Sequence, residues 1–149
     1  MTDIKNKITE DVKSAMRSKD KERLAALRLI QAGLKQKEVD ERIELNDEQT
    51  IAILDKMAKQ HRDSIEQFGR ANRNDLIEKE QQELNIIESY LPEQLSNDDI
   101  NSLIENAISE VGANSLKDMG KIMALLKDKL QGRADMGHVS RLIKAKLSN

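Results

Sequence analysis

The chain has 149 residues, with 25 Lys and Arg against 27 Asp and Glu, for a formal charge of -2; 38% of residues are apolar and 35% charged, the size of one domain or of one domain with a small companion. One Phe, one Tyr, no Trp, one Pro and six Gly make a poor sheet former, and the default is an all-α protein. The absence of Cys excludes disulfides, thiolate metal sites and cysteine nucleophiles.

Helical periodicity starts at once. Ile4, Ile8, Val12 and Met16 recur every four residues and predict an apolar stripe on a first helix. A second helix follows Asp20, with Leu24, Leu27, Ile30 and Leu34 on one face and a weaker continuation through Val39 and Ile43. Asn46 stands three residues before Gln49, the spacing of a capping box that opens a third helix. Along it Ile51, Leu54, Ala58, His61, Ile65 and Phe68 keep heptad order, which predicts an antiparallel hairpin with the helix that follows. Gly69 is the expected helix end, and residues 70–74 the turn. The fourth helix carries Leu76, Ile77, Leu84, Ile87 and Leu91, and Pro92, the only proline, stops it and marks the domain boundary.

Three shorter helices are expected beyond it. Ser96 caps one that turns Leu103, Ile104 and Ala107 inward and closes at Gly112. Ser115 and Asp118 repeat the cap pattern before Met119, Ile122, Met123, Leu126 and Leu130, which run up to Gly132. Asp135 caps the last, which buries Met136, Val139, Leu142, Ile143 and Leu147. The expected architecture is a four-helix bundle or hairpin domain over 1–92 and a three-helix bundle over 93–149. Gly120 lies inside a helical stripe, where glycine costs about 1 kcal/mol against alanine, so it is expected to serve a close approach of helices or ligand.

Charge is blocked along the chain. Residues 1–37 carry ten basic groups against five acids; 38–92 carry seven against fourteen; 93–116 carry five acids and no basic residue; 117–149 carry eight basic groups against three acids. These blocks read either as solvated faces or as a basic surface aimed at phosphates.

Signs of catalysis are few. His61, Asp63 and Ser64, and Asp135, His138 and Ser140, are close in sequence, but residues two apart on a helix point in different directions. Two separated histidines and no Cys assign no metal site, and the acidic run 78–83 reads as an exposed face. The glycines form neither dinucleotide nor P-loop spacing. No catalytic residue and no cofactor is expected. The N-terminus has no apolar signal core and no stretch reaches the ~20 apolar residues of a membrane span, so a soluble, cytoplasmic protein without membrane contact is expected.

The segments Leu24–Ile30, Lys59-Gln-His-Arg-Asp-Ser-Ile65 leading to Phe68, Arg73-Asn-Asp-Leu76, Glu80, Glu83, Tyr90-Leu-Pro-Glu-Gln-Leu95, Asp118-Met-Gly-Lys-Ile-Met123 and Gly132-Arg-Ala-Asp135 occur in this order. Together they resemble the GatB/YqeY family, and specifically its small stand-alone YqeY members, over essentially the whole chain. The resemblance implies a helical bundle followed by a three-helix module. That module is also the C-terminal tail of the B subunit of glutamine-dependent tRNA amidotransferase, where it engages tRNA while catalysis resides elsewhere. A carbon–nitrogen ligase label would therefore reach this chain only by family association.

Two functions fit these residues. One is an accessory module for tRNA, another structured RNA or a tRNA-amidotransferase-related complex; the other is a helical protein–protein adapter using the acidic 38–92 block, with a partner in the translation or tRNA-charging machinery. With Phe68 and Tyr90 the only aromatics, any RNA contact is expected to go to phosphates and shape. The candidate nucleic-acid residues are Lys117, Lys121, Arg133, Arg141, Lys144 and Lys146. The candidate structural positions are His61, Glu80, Pro92, Gly120, Met123, Gly132 and Asp135. Across the hairpin seam, His61 is expected to meet Glu80 or Glu83.

Overall fold

The structure, a computed structural model, describes residues 3–148. Among the described residues it is all-α, with seven α-helices and no strand. It divides into two compact units, Met1–Leu91 and Pro92–Asn149.

The first unit holds α1 (Asp3–Ser18), α2 (Lys21–Glu41), α3 (Asp47–Arg70) and α4 (Asn74–Ser89). Its core is aliphatic: Ile8, Leu27, Ile30, Leu45, Leu54 and Ile87 are all at most 1% exposed. Full burial of such side chains contributes about 1.5–3 kcal/mol each. The most extensive helix pairing joins α3 to α4, followed by α1 with α2. The Asn46 side chain accepts from the Gln49 amide at 2.8 Å and the Gln49 side chain accepts from the Asn46 amide at 3.0 Å, a complete capping box on α3. Thr50, buried one turn in, donates its hydroxyl to the Asn46 carbonyl at 2.8 Å.

Three details of this unit depart from the periodicity. Met16 is 48% exposed, and Ala15 fills the buried position on α1 instead. Leu45 lies outside any apolar stripe yet is buried in the loop before α3. Gly69 is helical and does not end α3; the reversal comes at Asn72, with φ of 56°. The same device ends α1 at Lys19 (φ 58°) and α2 at Arg42 (φ 56°). In each case the following amide returns to the carbonyl five residues back: Asp20 to Ala15, Ile43 to Glu38, and Arg73 to Phe68. That is the Schellman arrangement, here built on non-glycine residues. In the second unit Gly112 (φ 70°) ends α5 the same way, with Ala113 returning to Ile108.

The second unit holds α5 (Asn97–Val111), a 3-10 turn (Leu116–Asp118), α6 (Met119–Leu130) and α7 (Met136–Ser148). Ile104, Ile122, Leu130, Val139 and Ile143 are completely buried, with Met119, Met123, Met136 and Leu142 packed around them. Ser96 caps α5 by accepting from the Asp99 amide at 3.1 Å. The second serine cap is not formed: Ser115 makes no side-chain cap bond, and Asp118 accepts from the Asn114 amide at 3.3 Å, so its carboxylate turns back to the loop. The Asp135 carboxylate accepts from the Gly137 amide at 3.0 Å at the start of α7.

Candidate functional site

In the second unit α6, α7 and the 3-10 turn pack together, and the interior positions Ile122, Leu126, Val139 and Ile143 dictate which side chains face out. Lys117, Lys121, Arg141 and Lys144 are exposed. Lys121 stands 4.0 Å from the Asp118 carboxylate, a long and solvent-screened pair. Arg141 and Lys144 have no acidic partner among the described residues. Lys146, one of the candidate nucleic-acid residues, is 30% exposed and donates to Glu105 at 3.0 Å, because its position on α7 flanks the buried face and looks toward α5. Its charge is therefore partly compensated.

Arg133 is also engaged. Its Nε donates to the Glu93 carbonyl at 3.2 Å, while its own carbonyl accepts from the Leu95 amide at 2.9 Å. One residue earlier, the Gly132 carbonyl accepts from the Gln94 side chain at 2.7 Å. Gly132 itself has φ of 78°, a conformation open to glycine at little cost. The Gly132-Arg-Ala-Asp135 loop thus clamps the Glu-Gln-Leu end of the Tyr90–Leu95 segment. Residues 93–95 and the 132–135 loop, far apart in sequence, are one structural element of the second unit.

Gly120 is corrected by the structure. It is exposed, and a Cβ built there would have no neighbour within 4 Å. No close approach of helices requires it.

On the α3–α4 seam, the His61 Nε2 lies 2.9 Å from Glu83 Oε2 and 3.7 Å from Glu80 Oε2. Its Nδ1 is 2.9 Å from the Met57 carbonyl oxygen, one turn back on α3. The three side chains are 12%, 18% and 24% exposed for His61, Glu83 and Glu80, and the candidate ligand atoms all fall within 4.8 Å of one another. Glu80 and Glu83 share a face of α4 through i,i+3 spacing. Glu83 also lines an open groove of about 770 Å³ bordered by Asp20, Arg23, Asp75, Lys79 and Ile86.

The sequence did not single out other polar anchors of the first unit. The Lys5 ammonium donates to Glu38 at 2.7 Å, and Glu38 accepts from the Leu45 amide at 3.0 Å, which seats the buried Leu45. These bonds hold the Glu38 carboxyl below its ordinary pKa. At the start of α4, Arg73 and Asp75 form a two-pronged pair, 3.2 Å at both prongs, which lowers the Asp75 pKa. This local pair gives the Arg73-Asn-Asp-Leu76 segment a structural role at a helix entrance.

A family model described as Yqey-like protein matches residues 5–147. Among curated proteins, the chain is 31% identical over 140 residues to "Altered inheritance of mitochondria protein 41, mitochondrial" of Pyrenophora tritici-repentis, covering 92% of this chain and 77% of that one. Proteins of the same name from Lachancea thermotolerans and Eremothecium gossypii are 36% and 35% identical, over 70% and 60% of this chain. In those two the match spans 57% and 50% of the relative's own length. These names overturn the cytoplasmic placement read from the sequence, since the relatives are named as mitochondrial proteins. That placement rested on the missing apolar signal core, which does not discriminate among aqueous compartments. No described helix is long and apolar enough to cross a membrane.

Proposed function

The chain belongs to the YqeY-like family, and from that premise we propose that its C-terminal unit is an accessory module that contacts the phosphate backbone of a structured RNA, with tRNA as the first candidate. The observation that carries this reading is the outer face of α7. Arg141 and Lys144 are exposed there without acidic partners among the described residues, whereas Lys146 and Arg133 are already engaged within the unit. The 3-10 turn bearing Lys117 packs on both α6 and α7, which adds cations from neighbouring elements. Exposed cations without aromatic neighbours suit phosphates better than unstacked bases. The resemblance to the tRNA-engaging tail of an amidotransferase subunit supports the same choice of RNA, and the partner complex would be one that handles tRNA.

The test is the charge reversal Arg141→Glu with Lys144→Glu, followed by tRNA binding across a salt series. Affinity should fall, and the slope of log affinity against log salt should flatten by about one for each phosphate no longer neutralised. Both side chains are exposed, so the fold should survive. If the wild-type chain shows no salt-sensitive binding to structured RNA at low ionic strength, the RNA reading fails and the adapter reading through the acidic 38–92 block replaces it.

A further inference from the structure

We propose that His61, Glu80 and Glu83 form a divalent transition-metal site on the seam of the α3–α4 hairpin, and that Zn²⁺ is the ion it takes.

The argument begins with the imidazole. A carbonyl oxygen can only accept, so the 2.9 Å approach to Met57 puts the ring proton on Nδ1. Neutral His61 then presents the Nε2 lone pair to a carboxylate oxygen of Glu83 at 2.9 Å. Two lone pairs at that distance repel unless a positive centre lies between or beside them. A proton on Nε2 makes one hydrogen bond, to Glu83 at 2.9 Å, and sets a single positive charge against two carboxylates, with Glu80 3.7 Å away. Among the described residues no Lys or Arg reaches either carboxylate within 4 Å. A divalent ion balances both carboxylates at once.

The distances fit such an ion. Zinc binds imidazole nitrogen at about 2.0–2.1 Å and carboxylate oxygen at about 2.0–2.2 Å, so tetrahedral donors stand roughly 3.3–3.5 Å apart. The His61–Glu83 and His61–Glu80 separations of 2.9 and 3.7 Å straddle that value, and all three donor atoms lie within 4.8 Å of one another. The Met57 carbonyl supplies the outer hydrogen bond that fixes the tautomer and ring orientation of a metal-bound histidine. One imidazole and two carboxylates, without thiolate, favour Zn²⁺ over the oxygen-seeking Mg²⁺ and Ca²⁺. Three protein ligands leave the fourth position to water or to a small donor ligand. The ligands sit on two helices that form the most extensive pairing of the unit, with Ala58 completely buried one turn before His61, so the site is held by rigid elements.

The experiment uses the tag-free full chain. Zn²⁺ is titrated calorimetrically and Co²⁺ is followed by its visible absorption. One ion per chain is expected, with the spectrum of four-coordinate Co²⁺, displaced by Zn²⁺ and untouched by excess Mg²⁺. Glu83→Gln and Glu80→Gln should each weaken binding about tenfold or more. His61→Asn should abolish both the Co²⁺ spectrum and the rise in melting temperature caused by Zn²⁺. His138→Asn, which alters the only other histidine, should change neither. Melting of each variant without metal establishes that it folds, and the two glutamine variants are conservative enough to keep the test decisive if the asparagine variant does not. The proposal is overturned if the wild-type chain binds no stoichiometric Zn²⁺ at micromolar concentration, or if binding follows His138 or survives both glutamine changes.

Discussion

Tyr90 donates its hydroxyl to the Asp11 carboxylate at 2.5 Å, across 79 positions of sequence, and joins the end of α4 to α1. Tyr90 is 6% exposed, and its ring lies under the Lys7 ammonium, 5.8 Å from the ring centroid. Burial, then the Asp11 bond and charge, raise the Tyr90 pKa above its ordinary value near 10.

Because Tyr90 is the only tyrosine, its ionisation can be read directly from the absorbance of tyrosinate. The folded protein should titrate well above the unfolded one. The raised pKa means that this contribution to stability is full below about pH 10 and is lost as pH rises toward the folded value. Tyr90→Phe should cost about 1–2 kcal/mol at neutral pH through removal of the charge-assisted bond. It should also flatten the alkaline decline in stability. Urea unfolding at neutral and alkaline pH checks both.

Glu38 has the opposite dependence. Its lowered pKa makes its contribution full above the unfolded glutamate value near 4.3 and lost as pH falls through the folded value. Glu38→Gln should therefore lower the melting temperature at pH 7 by a few degrees, and the difference from wild type should close in acid. A constant difference down to pH 3 would mean that the Lys5 pair does not act through the carboxylate charge.

At Gly120, open space around the Cβ position and a helical backbone make alanine the better residue. Gly120→Ala should stabilise the second unit by roughly 0.5–1 kcal/mol, by reducing the freedom of the unfolded chain. A thermal melt decides it; a loss of stability would show that the glycine serves an approach absent from this arrangement of helices.

The helices and their buried faces were legible because a 3.6-residue repeat in a chain nearly free of aromatics and proline has few other ways to bury apolar surface. The seven helices, the Asn46 and Ser96 caps and the aliphatic stripes through Leu27, Leu54, Ile104 and Ile143 all follow from spacing alone. Helix ends were less legible. Three of them turn on Lys19, Arg42 and Asn72 in left-handed conformation, and the expected signal, Gly69, sits inside the helix instead. A Schellman end is chosen by where the chain must reverse, and non-glycine residues accept it when the five-residue return bond and packing compensate the strain.

What the sequence by itself determined is the secondary structure and which face of each helix is apolar, since both are local and periodic. It also placed His61 at a seam position and Glu80 and Glu83 across from it, through the register of one hairpin with a short turn. The tertiary structure alone decided the number of donors that meet there and their distances, the engagement of Lys146 by Glu105, the clamp between Gly132-Arg133 and residues 93–95, and the Tyr90–Asp11 bond. These interactions join residues 22 to 79 positions apart. Side-chain direction at such separations depends on helix phase and crossing geometry, which hydrophobic periodicity constrains only to within a face.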